Sequence, residues 1–289
     1  MLLKETWSRP FQYEPCVGFK ERPRNGKFVN ISKEGFRYSH IKDLTLKNHG
    51  INIYVFGGST TFGYGAEDAS TIPAHLQRHL SNFYPDKNIH VFNFGRGSYF
   101  STQELTLLLQ LLRNGRVPNI AIFIDGLNET KFDPHYTNEM SKMFDRYNYS
   151  VLMIYEMLPL VRARNSIAKR VNNAVDPLAL YDQYVHNKKI ITYLGSKYAF
   201  ATYFFIQPVP GWHNNFLHHK FVSEKYISEY EFTQKRMELL EDTVDNYNSF
   251  RMARLLENYN SQPFVDNVHY TSDVNDMIAK FISEKIYIP

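Results

Sequence analysis

Ile51-Asn52-Ile53-Tyr54-Val55-Phe56-Gly57-Gly58-Ser59-Thr60-Thr61-Phe62-Gly63 is the stretch on which the reading of this chain turns. Its first six residues form an apolar, β-branched run of the kind that fills a strand buried on both faces. The run stops at two glycines, which let a backbone turn sharply and let another group come close. A serine placed directly after such a turn projects from the carboxyl edge of the sheet. A lone Gly-Gly-Ser would more simply be a turn whose serine caps the next helix. Its meaning therefore depends on what surrounds it.

Working outward, Pro73 suits the first turn of a helix over 71–83, where a missing N–H costs little. His90-Val91-Phe92-Asn93-Phe94 reads as a second strand closed by Gly95. Leu105, Leu108, Leu109 and Leu112 recur at helical spacing within 102–113. Asn119-Ile120-Ala121-Ile122-Phe123-Ile124 is a third buried strand, running into Asp125-Gly126. Strands alternating with helices in this way predict a parallel sheet with crossover helices. In such sheets ligands bind at the carboxyl ends of the strands.

Beyond 127 the pattern loosens. Residues 127–176 read as irregular and helical excursions over the site, followed by a helix over about 177–197. Ala201-Thr202-Tyr203-Phe204-Phe205-Ile206 reads as a fourth strand, ended by Gln207-Pro208. A loop over 209–220 carries Trp212, His213, His218 and His219. A long helical stretch over about 223–259 is expected next, with Tyr226, Tyr230, Met237, Leu240, Val244 and Tyr247 on one stripe. A last helix shares Val274, Ile278, Phe281 and Ile282 on one face. Residues 1–50, rich in Pro, Gly and aromatics, read as an extended arm with short strands packed on the main domain. The expected organisation is thus an arm over 1–50 and a catalytic domain over 51–289, with a helical insertion at about 130–200.

Composition narrows the classes. The 289 residues are 43% hydrophobic and 21% charged, too apolar for a disordered chain. The net charge of +4 is scattered, without the like-charge block of a nucleic-acid arm or polybasic anchor, so no nucleic-acid partner is expected. The 16% aromatic content is read first as a Tyr/Phe-rich core, and second as walls for a sugar or acyl group. Cys16 is the only cysteine, so no intrachain disulfide forms; no basic neighbour activates it, and it is read as structural. No stretch approaches the ~20 apolar residues of a membrane span. Met1-Leu2-Leu3-Lys4-Glu5 has no apolar core of a signal peptide. The chain is compatible with the cytoplasm, or with an exported or anchored protein whose anchor lies elsewhere. Oligomeric state is open.

The sequence lacks G-x-S-x-G, G-x-G-x-x-G after a strand, and G-x-x-x-x-G-K-[ST], which removes support for α/β-hydrolase-elbow, dinucleotide and P-loop readings. Asp125-Gly126-Leu127-Asn128-Glu129 follows the third strand, at the same sheet edge as Ser59. Asp266-Asn267-Val268-His269 lies just before the last helix. A carboxylate three residues before an imidazole can accept its Nδ1–H and hold the tautomer that a general base needs.

Taken together, these blocks resemble the SGNH (GDSL-like) serine hydrolase family: Gly-x-Ser after the first strand, a glycine-containing loop after the second, Gly-x-Asn after the third, and Asp-x-x-His near the end. The resemblance spans residues 51–129 and 200–287. It implies a three-layer α/β/α sandwich with a mostly parallel sheet, flavodoxin-like, and an esterase without metal or organic cofactor. It makes Ser59 the nucleophile, His269 the general base and Asp266 its orienting carboxylate. It assigns the oxyanion hole to the N–H of Ser59, the side-chain amide of Asn128, and an N–H from the second loop. In that loop, Asn93-Phe94-Gly95-Arg96-Gly97-Ser98-Tyr99-Phe100-Ser101, either Gly97 or Ser98 could be the donor. The chain departs from the family in lacking Asp before the serine and in having Glu129 after Asn128.

The variant blocks resemble enzymes acting on acylated bacterial glycans, which implies an acyl ester or acylated glycan as substrate. An O-acyltransferase with the same acyl-enzyme, or a catalytically silent glycan-binding module, are the alternatives. Among other candidates, His213, His218 and His219 lack the spacing of a metal site and read as a solvated loop or lid. Arg96 reads as exposed or salt-bridged, and Gln207-Pro208 either lines the pocket or simply ends its strand.

Overall fold

The computed structural model describes residues 2–7, 11–39, 50–131, 177–213, 218–221, 234–244 and 248–289. At its centre is a parallel sheet of five strands: β5 (Ile51–Gly57), β6 (Ile89–Asn93), β7 (Ile120–Asp125), β8 (Ala201–Ile206) and β9 (Ser249–Arg251). They lie in the order β6-β5-β7-β8-β9. Pairing is in parallel register throughout, with Val55 opposite Asn93 and Ile122, and Phe123 opposite Phe204.

Side chains alternate across the strands, and the two faces differ in kind. Ile53, Val55, Val91, Ile120, Ile122, Ile124 and Phe205 point to one face. There they meet Ile72, Leu76 and Leu80 of α3 (Ile72–Phe83) and Val274, Ile278 and Ile282 of α8 (Ser272–Lys285). Tyr54, Phe56, Phe92, Phe94, Phe123 and Phe204 point to the other. This aromatic layer is covered by the leucines of α4 (Ser101–Arg113) and by Ile191 of α6 (Pro177–Tyr198). Phe56, Phe123 and Phe204 form a stacked ladder across three strands, with centroids 4.8 and 5.4 Å apart. The result is a three-layer α/β/α sandwich whose core on one face of the sheet is largely aromatic.

Several local expectations are corrected. Leu109 is exposed, and Leu107 and Leu111 join Leu105, Leu108 and Leu112 under α4. The helix expected to run to 259 ends earlier. A helix over 234–242, α7, stops before β9, which adds the fifth strand beside β8. Met237 and Leu240 are buried as the stripe required, whereas Tyr226, Tyr230 and Tyr247 lie outside the described residues. Of the region expected as an insertion at about 130–200, residues 132–176 lie outside the described residues, and the helix expected over about 177–197 is present as α6. Among the described residues no helix is long and apolar enough to cross a membrane.

The N-terminal segment contains α1 (Leu2–Trp7), a hairpin of β1 (Phe11–Glu14) and β2 (Gly18–Glu21), and a pair formed by β3 (Arg24–Asn25) and β4 (Asn30–Ile31). Cys16, read as structural, is exposed in the β1–β2 turn at φ 68°. Val17, Phe19 and Phe36 pack into the aromatic layer. Arg37 bridges to Asn93 at the end of β6, so the segment is built onto the sheet edge nearest the site.

Candidate active site

The loops after β5, β6 and β7 share a burial pattern. Residues 52–63 are buried except Ser59, 91–100 except Ser98, and 120–130 except Asn128. Each loop thus brings one residue to solvent at the carboxyl edge of the sheet.

Ser59 opens a one-turn helix, α2 (Ser59–Phe62). Gly57 makes the turn into it at φ 156°, and a Cβ there would stand 2.1 Å from the Thr61 hydroxyl oxygen. Gly58 must also be bare, because a Cβ would meet the Asn128 amide nitrogen at 2.4 Å. The Thr60 hydroxyl donates to Gln207 Oε1 at 2.7 Å, tying α2 to the end of β8. Gln207 is therefore buried beneath the site, bracing the turn rather than merely ending its strand.

Ser59 Oγ lies 2.8 Å from His269 Nε2, and His269 Nδ1 lies 2.8 and 3.0 Å from the Asp266 carboxylate oxygens. The Asp266 carboxylate also accepts the backbone N–H of Val268 and of His269, at 2.9 and 2.8 Å. Burial alone would raise the Asp266 pKa. The hydrogen bond and charge of His269, together with these two amides, outweigh it and hold the carboxyl below its ordinary value. An ionised Asp266 in this position fixes the imidazole with Nδ1 protonated and Nε2 turned to the serine.

Asn128 opens toward the same edge from α5 (Leu127–Lys131), its amide donating to the Tyr99 carbonyl at 2.6 Å. Of the two loop candidates, Gly97 is buried and its N–H is committed to Glu21 Oε1 at 2.9 Å. Ser98 stands at φ 63°, half-exposed, and among the described residues its N–H makes no hydrogen bond. Arg96 is fully buried rather than exposed. It pairs with Glu14 and donates to the Tyr99 hydroxyl at 2.8 Å, so the arginine staples the second loop to the β1–β2 hairpin instead of facing a ligand.

Four supports escaped the sequence reading. Arg37 donates to the carbonyls of Phe62, Gly63 and Ala66 and pairs with Asp68, clamping the turn that follows α2. Glu129 accepts the N–H groups of Ser101 and Gly126, at 2.8 and 2.7 Å, joining the second and third loops. Below it, Glu104, Asp125 and Glu129 share one fully buried site with Tyr184. Desolvation first, then mutual repulsion, raises the Glu104 and Asp125 carboxyls well above their ordinary values. His219 is buried, not solvated. Its Nδ1 accepts the Phe221 N–H at 3.4 Å, so Nε2 carries the proton and donates to the Asn267 carbonyl at 3.2 Å. The fourth support is aromatic: Trp7 and Tyr64 pack on the His269 ring at 4.9 and 5.2 Å. His213 lies 3.7 Å from Glu241, and among the described residues no cluster of metal-ligand type forms.

Comparison with solved structures finds the fold of this chain among known proteins. A variant of Axe2, an acetylxylan esterase from Geobacillus stearothermophilus, aligns over 85% of this chain and 98% of its own, at 12% identity and a TM-score of 0.50. This chain shares the α/β/α fold of that esterase. LAE5, an α/β hydrolase from a Lake Arreo metagenome, aligns over 82% of this chain and 95% of its own, with 13% identity and a TM-score of 0.47. AlAXEase, an acetyl xylan esterase, aligns over 81% and 97%, with 12% identity and a TM-score of 0.45. No protein-family model and no curated protein matches the chain.

Proposed function

We propose that this chain is an SGNH-type serine esterase that removes an acyl group, most simply acetyl, from a hydroxyl of a glycan. The observation that carries the proposal is the unbroken contact from hydroxyl to imidazole to carboxylate, with 2.8 Å at each link.

In this reading Ser59 Oγ attacks the ester carbonyl carbon while its proton passes to His269 Nε2. The carbonyl oxygen becomes an oxyanion held by the N–H of Ser59, the N–H of Ser98 and the Asn128 amide. Each such donor contributes about 3 kcal/mol to lowering the barrier. Ser98 takes precedence over Gly97 because the Gly97 N–H already serves Glu21. Collapse of the intermediate breaks the bond to the alcohol oxygen, which leaves with the proton from His269. Water, deprotonated by the same imidazole, then attacks the acyl-Ser59 ester and frees the acid. Asp266 stabilises the imidazolium at both stages. The acylated-glycan substrate is supported by the resemblance of the Gly-Gly-Ser-Thr and Asp-Gly-Leu-Asn blocks, and by the acetyl xylan esterases among the fold neighbours.

The test is acetate release from O-acetylated oligosaccharides by wild type and Ser59→Ala, with products separated in the presence of an unacetylated acceptor. Free acetate from wild type alone supports the esterase. Acetyl groups moved to the acceptor would reassign the chain as an acyltransferase. Binding without release by folded wild type would make it a silent glycan-binding module.

A further inference from the structure

We propose that Trp7, with Tyr64 beside it, forms an aromatic platform for the alcohol part of the ester, a pyranose ring resting next to His269. The inference deepens the esterase reading and rests on it.

Trp7 belongs to α1, outside the α/β/α layers, yet its ring is 4.9 Å from that of His269 at 73° and 5.1 Å from that of Tyr64 at 87°. Tyr64 in turn stacks on the imidazole, 5.2 Å away at 25°. The helix that carries Trp7 is held in place. Glu5 accepts the N–H groups of Phe28, Val29 and Lys27 at 3.0, 3.2 and 3.3 Å, which also hold its carboxyl below the ordinary value. Tyr64 is fixed by the turn after α2, its N–H donating to the Ser59 carbonyl at 3.1 Å. Both rings are therefore placed by backbone contacts. Even so, 46% of Trp7 is left in solvent while His269 beneath it is 5% exposed. An aromatic ring half in water that borders the candidate nucleophile's histidine offers a ligand an apolar surface at that position.

The chemistry says what that something is. In collapse of the tetrahedral intermediate, His269 Nε2–H must reach the departing alcohol oxygen, whereas the carbonyl oxygen lies toward Asn128 and Ser98. Groups that pack on the imidazole therefore border the alcohol, not the acyl chain. A pyranose presents an apolar C–H face with its hydroxyls at the rim, so it can cover an indole face while its edge stays wet. A small alkyl alcohol cannot.

The experiment compares two esters of the same acid, an O-acetylated methyl pyranoside and ethyl acetate, on full-length wild type, Trp7→Ala and Trp7→Phe. The readout is the ratio of their kcat/KM values. Trp7→Ala should lower that ratio about tenfold, chiefly through KM for the pyranoside, with Trp7→Phe recovering most of it. The unacetylated methyl pyranoside should also inhibit Trp7→Ala more weakly than wild type. Equal losses on both esters would mean that Trp7 only packs His269 and would overturn the platform. So would no loss on either. Failure of folded wild type to hydrolyse any ester would instead overturn the esterase reading and the platform with it.

Discussion

Replacing Gly58 with alanine should silence the site without unfolding the protein. Gly58 lies at φ −79° and ψ −153°, an extended conformation open to alanine, so the backbone bears little strain. The added methyl would stand 2.4 Å from the Asn128 amide nitrogen and 3.2 Å from the Tyr99 carbonyl oxygen. Non-bonded heavy atoms settle at about 3.5 Å, so the amide must retreat by about 1 Å. That retreat also breaks its 2.6 Å bond to Tyr99. Loss of one oxyanion donor costs about 3 kcal/mol of barrier, a fall in kcat on the order of 10²–10³-fold. The assay is kcat and KM on p-nitrophenyl acetate for Gly58→Ala, Asn128→Ala and the double variant, each with a thermal melt. Both single variants should lose similar activity. The double variant should lose little more, because deleting the amide removes the clash as well. Near-wild-type kcat in Gly58→Ala, or additive losses in the double variant, would refute the assignment of Asn128 as an oxyanion donor.

Two further predictions test the supports beneath the site. Glu104, Asp125 and Glu129 have raised pKa values in the fold, so the folded chain keeps protons that the unfolded chain has lost. Stability should therefore fall as pH rises above the ordinary carboxyl range, by up to about 1.4 kcal/mol per pH unit for each retained proton. Glu104→Gln should flatten that slope in urea unfolding between pH 5 and 9, and an unchanged slope would contradict a carboxyl of Glu104 held above its ordinary value. His219→Phe keeps the ring but loses the donor to Asn267, so the turn carrying Asp266 and His269 loosens. Activity should drop on the order of tenfold with KM nearly constant, and His219→Gln, which restores an N–H near the Nε2 position, should recover most of it.

The sheet was legible because its strands are apolar runs ended by glycine, a pattern that survives without tertiary information. β9 was not, since Ser249-Phe250-Arg251 offers one apolar residue and pairs only because β8 presents an open edge. That Ser59 and Asn128 share one rim could be anticipated because parallel strands send their following loops there. The arrival of Asp266 and His269 beside them was implied by the family resemblance, since no strand is legible just before residue 266. Choosing between Gly97 and Ser98 required coordinates: a shift of one residue exchanges a buried amide bound to Glu21 for a half-exposed one. Glu21, Arg37 and Trp7 were invisible for a different reason. Each acts on a loop distant in sequence, and nothing in the local pattern of residues 1–50 marks a buried carboxylate or a ring destined for His269. His219 misled by composition, since a polar loop looks solvated until that ring is found stacked on Phe264 at 4.8 Å.

The most direct measurement is the position of covalent modification by a fluorophosphonate, mapped by peptide mass spectrometry on the full chain. A single adduct on Ser59, absent in Ser59→Ala and strongly slowed in His269→Ala, is the predicted result. Folded wild type that stays unmodified, or carries the adduct on another residue, would contradict the claim that Ser59 is an activated nucleophile.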